Sequence, residues 1–322
     1  MNNTVSEEAT ELGQAVGEAI DAAGGVDLAR EFERDPAARG DVVEGLLGPL
    51  GIWEIAPRED QVQLEAAAEA CRAAGGRLLM YPIAERLARP DGKDAILLVP
   101  TTGRRVAVHA DLDLNWAAAT LRGDAARLTR RGPLIGEKLA KFVAEIDTEI
   151  DEDLPQENVE LVITLQSWWL LGVLERALAD TVLYTNERQQ FGRRIITFQG
   201  TQFRLSDVVV AVQGLSELAK YTLWSIAHHG RSTALVDAVA LRVSALQAAD
   251  TVLRAGHQLH GAMGFADETN ISQYSRHSQG YRRLPEGETR SELILAELIS
   301  RNGWTSLFPI AAGAARRDAV RV

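Results

Sequence analysis

The chain has 322 residues and a formal net charge of −11 at pH 7, from 34 basic and 45 acidic side chains. Proteins that bind nucleic acids or anionic membranes present a basic face, so this charge argues against both kinds of partner. Hydrophobic residues make up 46% of a chain long enough to bury a large core. The only cysteine, Cys71, excludes a disulfide framework and a CxxC metal or redox pair.

The N-terminus is acidic and lacks the basic and apolar segments of a secretory signal. We find no run of about 18 apolar residues, the length that a membrane span requires. Both observations favour a soluble, cytoplasmic protein.

Residues 1–91 predict an N-terminal helical domain, because alanine, leucine, glutamate and arginine dominate and prolines are few. Ser6 precedes the first helix as a capping residue, and Gly24 and Gly25 end it. Pro36 interrupts the second helical region, and Pro82 lies near the first turn of the last one. The predicted helices are 7–20, 26–47, 61–74 and 78–88.

Residues 92–152 predict a shortened, β-rich middle domain. The apolar run 95–100 suits a strand, and 104–109 alternates in polarity as a half-buried strand does. Glycines and a proline divide the segments that follow. The region is short for an independent domain.

Residues 153–322 predict a C-terminal four-helix bundle. Apolar residues recur at helical spacing in each long segment, as Val236, Val239 and Val243 do in the third. The predicted helices are 158–186, 199–229, 232–260 and 288–302, lengths that favour a bundle. The fold class is therefore mainly α, with three regions in chain order.

Several other motifs of known function are incomplete or absent in this sequence. His228, His229 and Gly230 begin an acyltransferase-like motif, but no aspartate follows at the position that the motif requires. His257 and His260 lack the ExxH partner of a di-metal bundle, and we predict no metal site. The sequence contains no GxGxxG, P-loop or GxSxG motif.

Two segments carry a more specific pattern. Residues 186–205 read NERQQFGRRIITFQGTQFRL, which contains RxxFGxxIxxFQ, and residues 258–265 read QLHGAMGF. Both lie at junctions of predicted bundle helices. Together they resemble the acyl-CoA dehydrogenase family, in which such segments lie between the first two bundle helices and at the end of the third. The resemblance implies that family's fold, with an N-terminal helical domain, a middle β-domain and a C-terminal bundle.

In that family the two segments hold the AMP and pyrophosphate end of FAD, so the resemblance implies FAD as the cofactor. A planar guanidinium such as that of Arg188 suits a pyrophosphate, and glutamine amides both donate and accept hydrogen bonds. The implied FAD-binding residues are Arg188, Gln190, Phe191, Phe198, Gln199, Gln258, His260, Gly261 and Ala262. The alternative, that Phe191, Ile195 and Phe198 only pack two helices together, stays open.

The chain departs from the family where the flavin ring is held. In the family a TEP-like strand and a GSD-like turn of the middle domain hold the ring, and residues 92–150 contain neither. In that family the two FAD segments reach across to a neighbouring subunit's flavin. The resemblance therefore implies that this chain serves a partner's FAD and has lost much of the region that would hold its own.

The family's catalytic base is a glutamate, usually in a Tyr-Glu-Gly-Thr loop before the last helix. Here the loop reads LPEGET, so Glu286 is the candidate base, although the tyrosine is Pro285 and the threonine is displaced by one. A helix first-turn carboxylate without catalytic role is the alternative for Glu286. The family's other base position corresponds to Val162, which cannot accept a proton, with Glu160 nearby.

The pattern is most similar to actinobacterial acyl-CoA dehydrogenases that form α2β2 heterotetramers and act on steroid-derived CoA thioesters. By this resemblance we predict a shortened β-type subunit, with a full-length α-type dehydrogenase as its partner and as the source of the working glutamate. The implied reaction is α,β-dehydrogenation of an acyl-CoA in fatty acid or cholesterol side-chain degradation. Electrons would pass to an electron-transfer flavoprotein. Two alternatives stay open: a self-sufficient homo-oligomeric dehydrogenase with Glu286 as base, and a non-catalytic assembly subunit.

Overall fold

The computed structural model describes residues 4–135, 141–151, 154 and 158–302. Five helices come first, and Pro36 separates the second from the third as predicted. Asp60 caps the fourth, since its Oδ1 accepts a hydrogen bond from the Gln63 amide at 2.8 Å. Ser6 stands at the N-cap of the first helix, but its side chain makes no capping hydrogen bond there, contrary to prediction. The helices are α1 (Glu7–Ala22), α2 (Asp27–Arg34), α3 (Arg39–Leu47), α4 (Gln61–Gly76) and α5 (Ile83–Leu87).

Helix α5 is shorter than the predicted 78–88. Leu78 has a φ of 52°, in the left-handed region, and the Tyr81 amide donates to the Leu79 carbonyl. The residue before a proline is also disfavoured in the helical conformation. The chain therefore turns between Leu78 and Pro82 before the helix begins.

Five strands form one curled sheet after α5. The order is β1-β3-β4-β5-β2, with β1 parallel to β3 and the other pairs antiparallel. The strand predicted within 104–109 is present as 106–108, but all three of its residues are buried, so the prediction that it is half-buried is wrong. Val106 and Val108 face the main core and Ala107 faces a smaller core on the other side of the sheet. The strands are β1 (Ala95–Leu98), β2 (Val106–Val108), β3 (Trp116–Ala119), β4 (Ala125–Leu134) and β5 (Val143–Ile150).

The four predicted bundle helices are present, and α8 packs against α6, α7 and α11. Two short helices, α9 and α10, lie between the third and fourth and were not predicted. The helices are α6 (Val159–Glu187), α7 (Gln199–His228), α8 (Arg231–His260), α9 (Asn270–His277), α10 (Gln279–Arg283) and α11 (Glu288–Asn302). The predicted boundary between 152 and 153 lies outside the described residues, as does 303–322 of the third predicted region.

Helix α6 is long and apolar enough to span a membrane by length and composition, contrary to the sequence expectation. Its most apolar 18-residue window is 83% buried inside the protein. The core helix of a soluble protein meets the same criterion, so this finding is weak support for a membrane segment.

Helices α4 and α6 touch through their backbones. A Cβ added to Gly75 would lie 1.8 Å from the Trp169 carbonyl oxygen, and one added to Gly172 would lie 2.0 Å from the Arg72 carbonyl oxygen. Only glycine allows such an approach. The N-terminal helices and the bundle therefore share one continuous core, in which Trp168 and Trp169 are fully buried.

A buried carboxyl group lies between α5 and α6. Glu85 is 1% exposed, and its Oε1 accepts a hydrogen bond from Gln166 Nε2 at 2.8 Å. Burial raises the pKa of Glu85 from 4.5 to about 7. The folded protein therefore holds this proton more tightly than the unfolded chain does, and the resulting stability is full below pH 4.5 and lost as the pH rises through 7.

We expect Glu85→Gln to be more stable than the wild type at pH 8 by about 3 kcal/mol, because the amide carries no charge to bury. At pH 4 the difference should be much smaller. Urea unfolding of both proteins from pH 4 to 8 measures the difference between their free energies of unfolding. Burial lowers the pKa of His277 to about 3, which gives a pH dependence of the opposite sign. Both proteins share this contribution, so it cancels in the difference. Glu11→Gln, at an exposed position, is the control. If Glu85→Gln were no more stable than the wild type at pH 8, the raised pKa of Glu85 would be contradicted.

Candidate functional site

A short hairpin joins the first two bundle helices. Its strands are β6 (Gln189–Gln190) and β7 (Arg193–Arg194), and they are paired antiparallel. The two residues at the tip, Phe191 and Gly192, have φ values of 54° and 76°. Two successive positive φ values match a type I′ turn, which fits the twist of a two-residue hairpin. The hairpin places the first motif next to the end of α8.

The two motifs, which lie some 60 residues apart in the chain, line one cavity of about 290 Å³. We call it the junction cavity, since it lies where α6, the hairpin and the end of α8 meet. Six of the nine predicted FAD-binding residues line it: Arg188, Gln190, Gln258, His260, Gly261 and Ala262. Four further lining residues were not predicted: Tyr184, Ile195, Leu259 and Met263.

The cavity wall offers a cation without a partner. Within the described part of the chain, the Arg188 guanidinium makes neither an ion pair nor a hydrogen bond. Residues 188–206 contain four arginines and no acidic residue, although the whole chain carries −11. An unpaired, planar guanidinium in a locally positive surface suits a phosphate or pyrophosphate group.

The end of α8 forms another part of the cavity wall. The His260 ring is buried there, and its Nδ1 donates to the Gly256 carbonyl at 2.8 Å. Tyr184 stacks on this ring with 4.2 Å between centroids. Gly261 has φ 60° and ψ −134°, a conformation open only to glycine, so it ends α8 and turns the chain along the cavity.

Three predicted FAD-binding residues do not line the junction cavity. Phe191, at the hairpin tip, is 92% exposed, and Gln199 is exposed at the start of α7. Phe198 is half-buried, with the Arg193 guanidinium 4.0 Å from its ring centroid and the Phe191 ring edge-on at 6.2 Å. The contacts of these three side chains with FAD stay predictions.

Of the lining residues that were not predicted, Tyr184 is the one that the sequence could have indicated. It lies four residues before Arg188, the C-cap residue of α6, whose amide donates to the Tyr184 carbonyl. Its aromatic ring supports His260, so it positions the cavity wall. The other three are aliphatic or Met residues whose inward direction depends on the hairpin geometry.

Glu286, the candidate base, is 6% exposed and held by the turn after β1. Its Oε1 accepts hydrogen bonds from the Thr101 amide at 3.0 Å and from the Thr101 hydroxyl at 2.8 Å. Arg122 in turn donates to the Thr101 hydroxyl at 3.3 Å. The carboxylate thus joins the loop before α11 to the sheet, and its catalytic role stays a prediction.

Arg242 fixes the same loop from α8. Its Nη2 donates to the carbonyls of Leu284 at 2.9 Å and Glu286 at 2.8 Å. Burial lowers the pKa of Arg242 to about 10, and the charge of Glu286 opposes this shift. Arg242 precedes Gln258 by 16 residues of α8, or about 24 Å. The Glu286 loop and the junction cavity therefore lie at separate places along one helix.

The second base position also lacks a free carboxylate. Val162 is fully buried, and neighbouring Glu160 is 4% exposed and forms an ion pair with Arg58. Among the described residues, no group of three or more His, Cys, Asp or Glu side chains is arranged to hold a metal ion.

Comparison with known proteins agrees with this geometry. Residues 164–298 match the family model "Acyl-CoA dehydrogenase, C-terminal domain". Over 125 residues the chain is 28% identical to the short-chain specific acyl-CoA dehydrogenase of Megasphaera elsdenii. The aligned segment is 39% of this chain and 32% of that protein. The aligned part is thus about a third of the relative's length.

Solved structures match almost the whole chain. The ChsE4-ChsE5 complex from Mycobacterium tuberculosis matches with a TM-score of 0.69 and 17% identity, over 94% of this chain and 100% of that chain. The Tcur3481-Tcur3483 steroid ACAD matches with a TM-score of 0.68 and 16% identity, over 92% and 99%. These likenesses establish the fold. The chain thus has the acyl-CoA dehydrogenase fold, and its residues 164–298 are similar in sequence to the C-terminal domain of that family.

Proposed function

We propose that this chain is one subunit of a heteromeric, FAD-dependent acyl-CoA dehydrogenase and that its junction cavity holds the adenylate and pyrophosphate end of the cofactor. One observation carries the proposal: two distant motifs meet at one cavity whose guanidinium has no partner in the described part of the chain. Arg188 would bind the pyrophosphate. Gln190 and Gln258 would offer amides, and Gly261 leaves the backbone open to the ligand.

The size of the cavity supports a shared site. Pockets for drug-sized ligands measure roughly 300–1,000 Å³, and the junction cavity measures about 290 Å³. It suits one end of a dinucleotide, while the flavin end extends beyond it. The sequence has neither of the family's flavin-ring segments in 92–150, so the partner, an acyl-CoA dehydrogenase of α type, supplies that pocket.

In the proposed reaction, the Cα proton of a CoA thioester is abstracted and flavin, when bound, accepts the hydride from Cβ. This chain would contribute binding and orientation. Glu286 Oε1 accepts two hydrogen bonds from Thr101, which tie this carboxylate to the turn after β1. We therefore assign the working glutamate to the partner.

The substrate class and the electron acceptor belong to the same proposal. The likeness to the steroid ACAD and to the ChsE4-ChsE5 complex supports a steroid-derived acyl-CoA, processed in an α2β2 assembly as in cholesterol side-chain degradation. An electron-transfer flavoprotein would reoxidise the flavin. A cytoplasmic location suits all of these partners.

Flavin stoichiometry tests the proposal. The chain is purified alone and after co-expression with a full-length acyl-CoA dehydrogenase of the same organism, and FAD is measured by absorbance against protein. We expect one FAD for each pair of unlike chains and none on the chain alone. FAD bound one per chain by the lone protein would contradict the shared site and support the homo-oligomeric alternative with Glu286 as base.

A further inference from the structure

Strands β3 and β4 pair only next to the turn that joins them. Among the described residues, two residue pairs connect these strands, between 118–119 of β3 and 125–126 of β4. Further along, β3 continues beside β1, while β4 continues beside β5 with a register shift between Leu128 and Arg130. A shift of this kind bends a strand away from its neighbour. The sheet is therefore open between the rest of β3 and the rest of β4.

A cavity of about 620 Å³ lies at this opening. We call it the strand cavity. Most of its described lining residues are apolar: Ile96, Leu114, Trp116, Leu128 and five alanines of β3 and β4. Pockets for drug-sized ligands measure roughly 300–1,000 Å³ and are lined mainly by apolar side chains. The strand cavity is therefore large enough for a small organic molecule.

The strand cavity is separate from the regions that the proposed dehydrogenase uses. Its described lining residues include none of those that line the junction cavity. Glu286 and Thr101 are not among them either. A ligand of the strand cavity is thus not accounted for by the proposed function.

One cation at the strand cavity has no acidic partner. The exposed Lys93 precedes β1, and its Nζ donates to Asn115 Oδ1 at 3.0 Å but forms no ion pair within the part of the chain that the structure describes. Asn115 is itself held in place, because its Nδ2 donates to the Gly92 carbonyl at 3.1 Å. An ammonium group has three donors, so two of them remain for a ligand.

The other charges around the strand cavity leave this end positive. Arg127 and Arg131 also line the cavity, and each is paired with an aspartate. Arg89 lines an adjoining cavity of about 240 Å³ and donates to two backbone carbonyls instead of a carboxylate. Of the described residues, Asp91 is the acidic side chain that lines both cavities. Lys93 and Arg89 outnumber it, although the whole chain carries −11.

We propose that the strand cavity binds an amphipathic organic anion, with its anionic head at Lys93 and its apolar body against Trp116 and Leu128. A nucleotide suits these walls poorly, since its many polar groups would be buried without hydrogen-bond partners. A carboxylate or sulfonate on an apolar ring or chain uses both the free ammonium and the apolar lining. The proposal depends neither on FAD nor on the partner subunit.

Two fluorescent probes with the same ring system test the proposal on the full chain. Anilinonaphthalene sulfonate carries an anionic group, and phenylnaphthylamine has the same rings without it. Both gain fluorescence in an apolar environment, so a titration gives a dissociation constant for each. We expect saturable binding of both probes to the wild type.

Four variants separate the head group from the apolar lining. Lys93→Gln should weaken binding of the sulfonate at least about threefold and leave the neutral probe unchanged, because only a charged contact is lost. Lys220→Gln, on α7, is the matched control and should change neither. Leu128→Glu should weaken both probes at least about tenfold, since it places a carboxylate in the apolar lining. Leu293→Glu, at a position 52% exposed on α11, should weaken neither.

Two results would overturn the proposal. Equal binding of the sulfonate by Lys93→Gln and by the wild type would exclude Lys93 as the site of the anionic head. Unchanged binding of both probes by Leu128→Glu would place the probes outside the strand cavity. Circular dichroism checks that each variant is folded, and the comparison of Lys93→Gln with Lys220→Gln still decides the proposal if Leu128→Glu is not.

Discussion

Gly75→Ala is expected to destabilise the protein strongly, by about 3 kcal/mol or more, with a fall in Tm of roughly 6–12 °C. The added methyl group would lie 1.8 Å from the Trp169 carbonyl oxygen and 2.7 Å from its carbon. Both atoms belong to the backbone of α6, so no side-chain rotation relieves the overlap, and the two helices have to move apart. Thermal unfolding monitored by circular dichroism measures the change.

The neighbouring Gly76→Ala is the matched control. A Cβ there would lie 3.5 Å from the Gly172 carbonyl oxygen, an ordinary van der Waals contact. We expect a change within about 1 kcal/mol, the scale of helix propensity. Equal Tm values for the two variants would show that α4 and α6 do not meet backbone to backbone.

Arg188→Ala is expected to remove FAD from the complex. A hydrogen bond to a charged group contributes about 1.5–3 kcal/mol, so affinity should fall between about tenfold and a hundredfold. Arg188→Lys keeps the charge but loses the planar guanidinium. Its affinity for FAD should therefore lie between those of the wild type and Arg188→Ala. Titration of the flavin-free complex with FAD, followed by flavin fluorescence, measures the three dissociation constants.

Arg194→Ala controls for the general positive charge of the hairpin. Arg194 is exposed on β7 and does not line the junction cavity. The Arg194→Ala complex should bind FAD with a dissociation constant within about threefold of that of the wild type, because exposed charges contribute little when they lack a fixed partner. If Arg188→Ala retained FAD as well as Arg194→Ala does, the chain would serve assembly without touching the cofactor. Co-purification of the partner should survive both substitutions.

The long elements of the fold were predictable because periodicity extends over many residues in them. Helices 158–186, 199–229 and 232–260 differ from α6, α7 and α8 by one residue at most at each end. Helix α5 was overestimated because the left-handed conformation of Leu78 depends on packing and not on local sequence. Helices α9 and α10 are short, polar segments held mainly by tertiary contacts, which leave little periodicity to detect.

The site was predictable in part, and only through resemblance. Motif spacing placed Arg188 and Gln258 at helix junctions, but their meeting at one cavity depends on how α6 and α8 cross. The hairpin escaped prediction because its turn has Phe191 at a positive φ, where asparagine or glycine is the usual signal. The hydrogen bonds between Glu286 and Thr101 join residues 185 positions apart, a distance at which local patterns are silent.

Helix α8 fixes the distance between the Glu286 loop and the junction cavity. Arg242 donates hydrogen bonds to the carbonyls of the Glu286 loop, and His260 lines the junction cavity. Both residues belong to the same uninterrupted helix. A helix does not stretch, so the spacing and the relative angle of the two regions are set by residue count alone. Inserting one residue between them would shift one region by about 1.5 Å and rotate it by about 100°. Any relative in which one helix holds both regions must therefore keep the number of residues between them, whatever else in this segment changes.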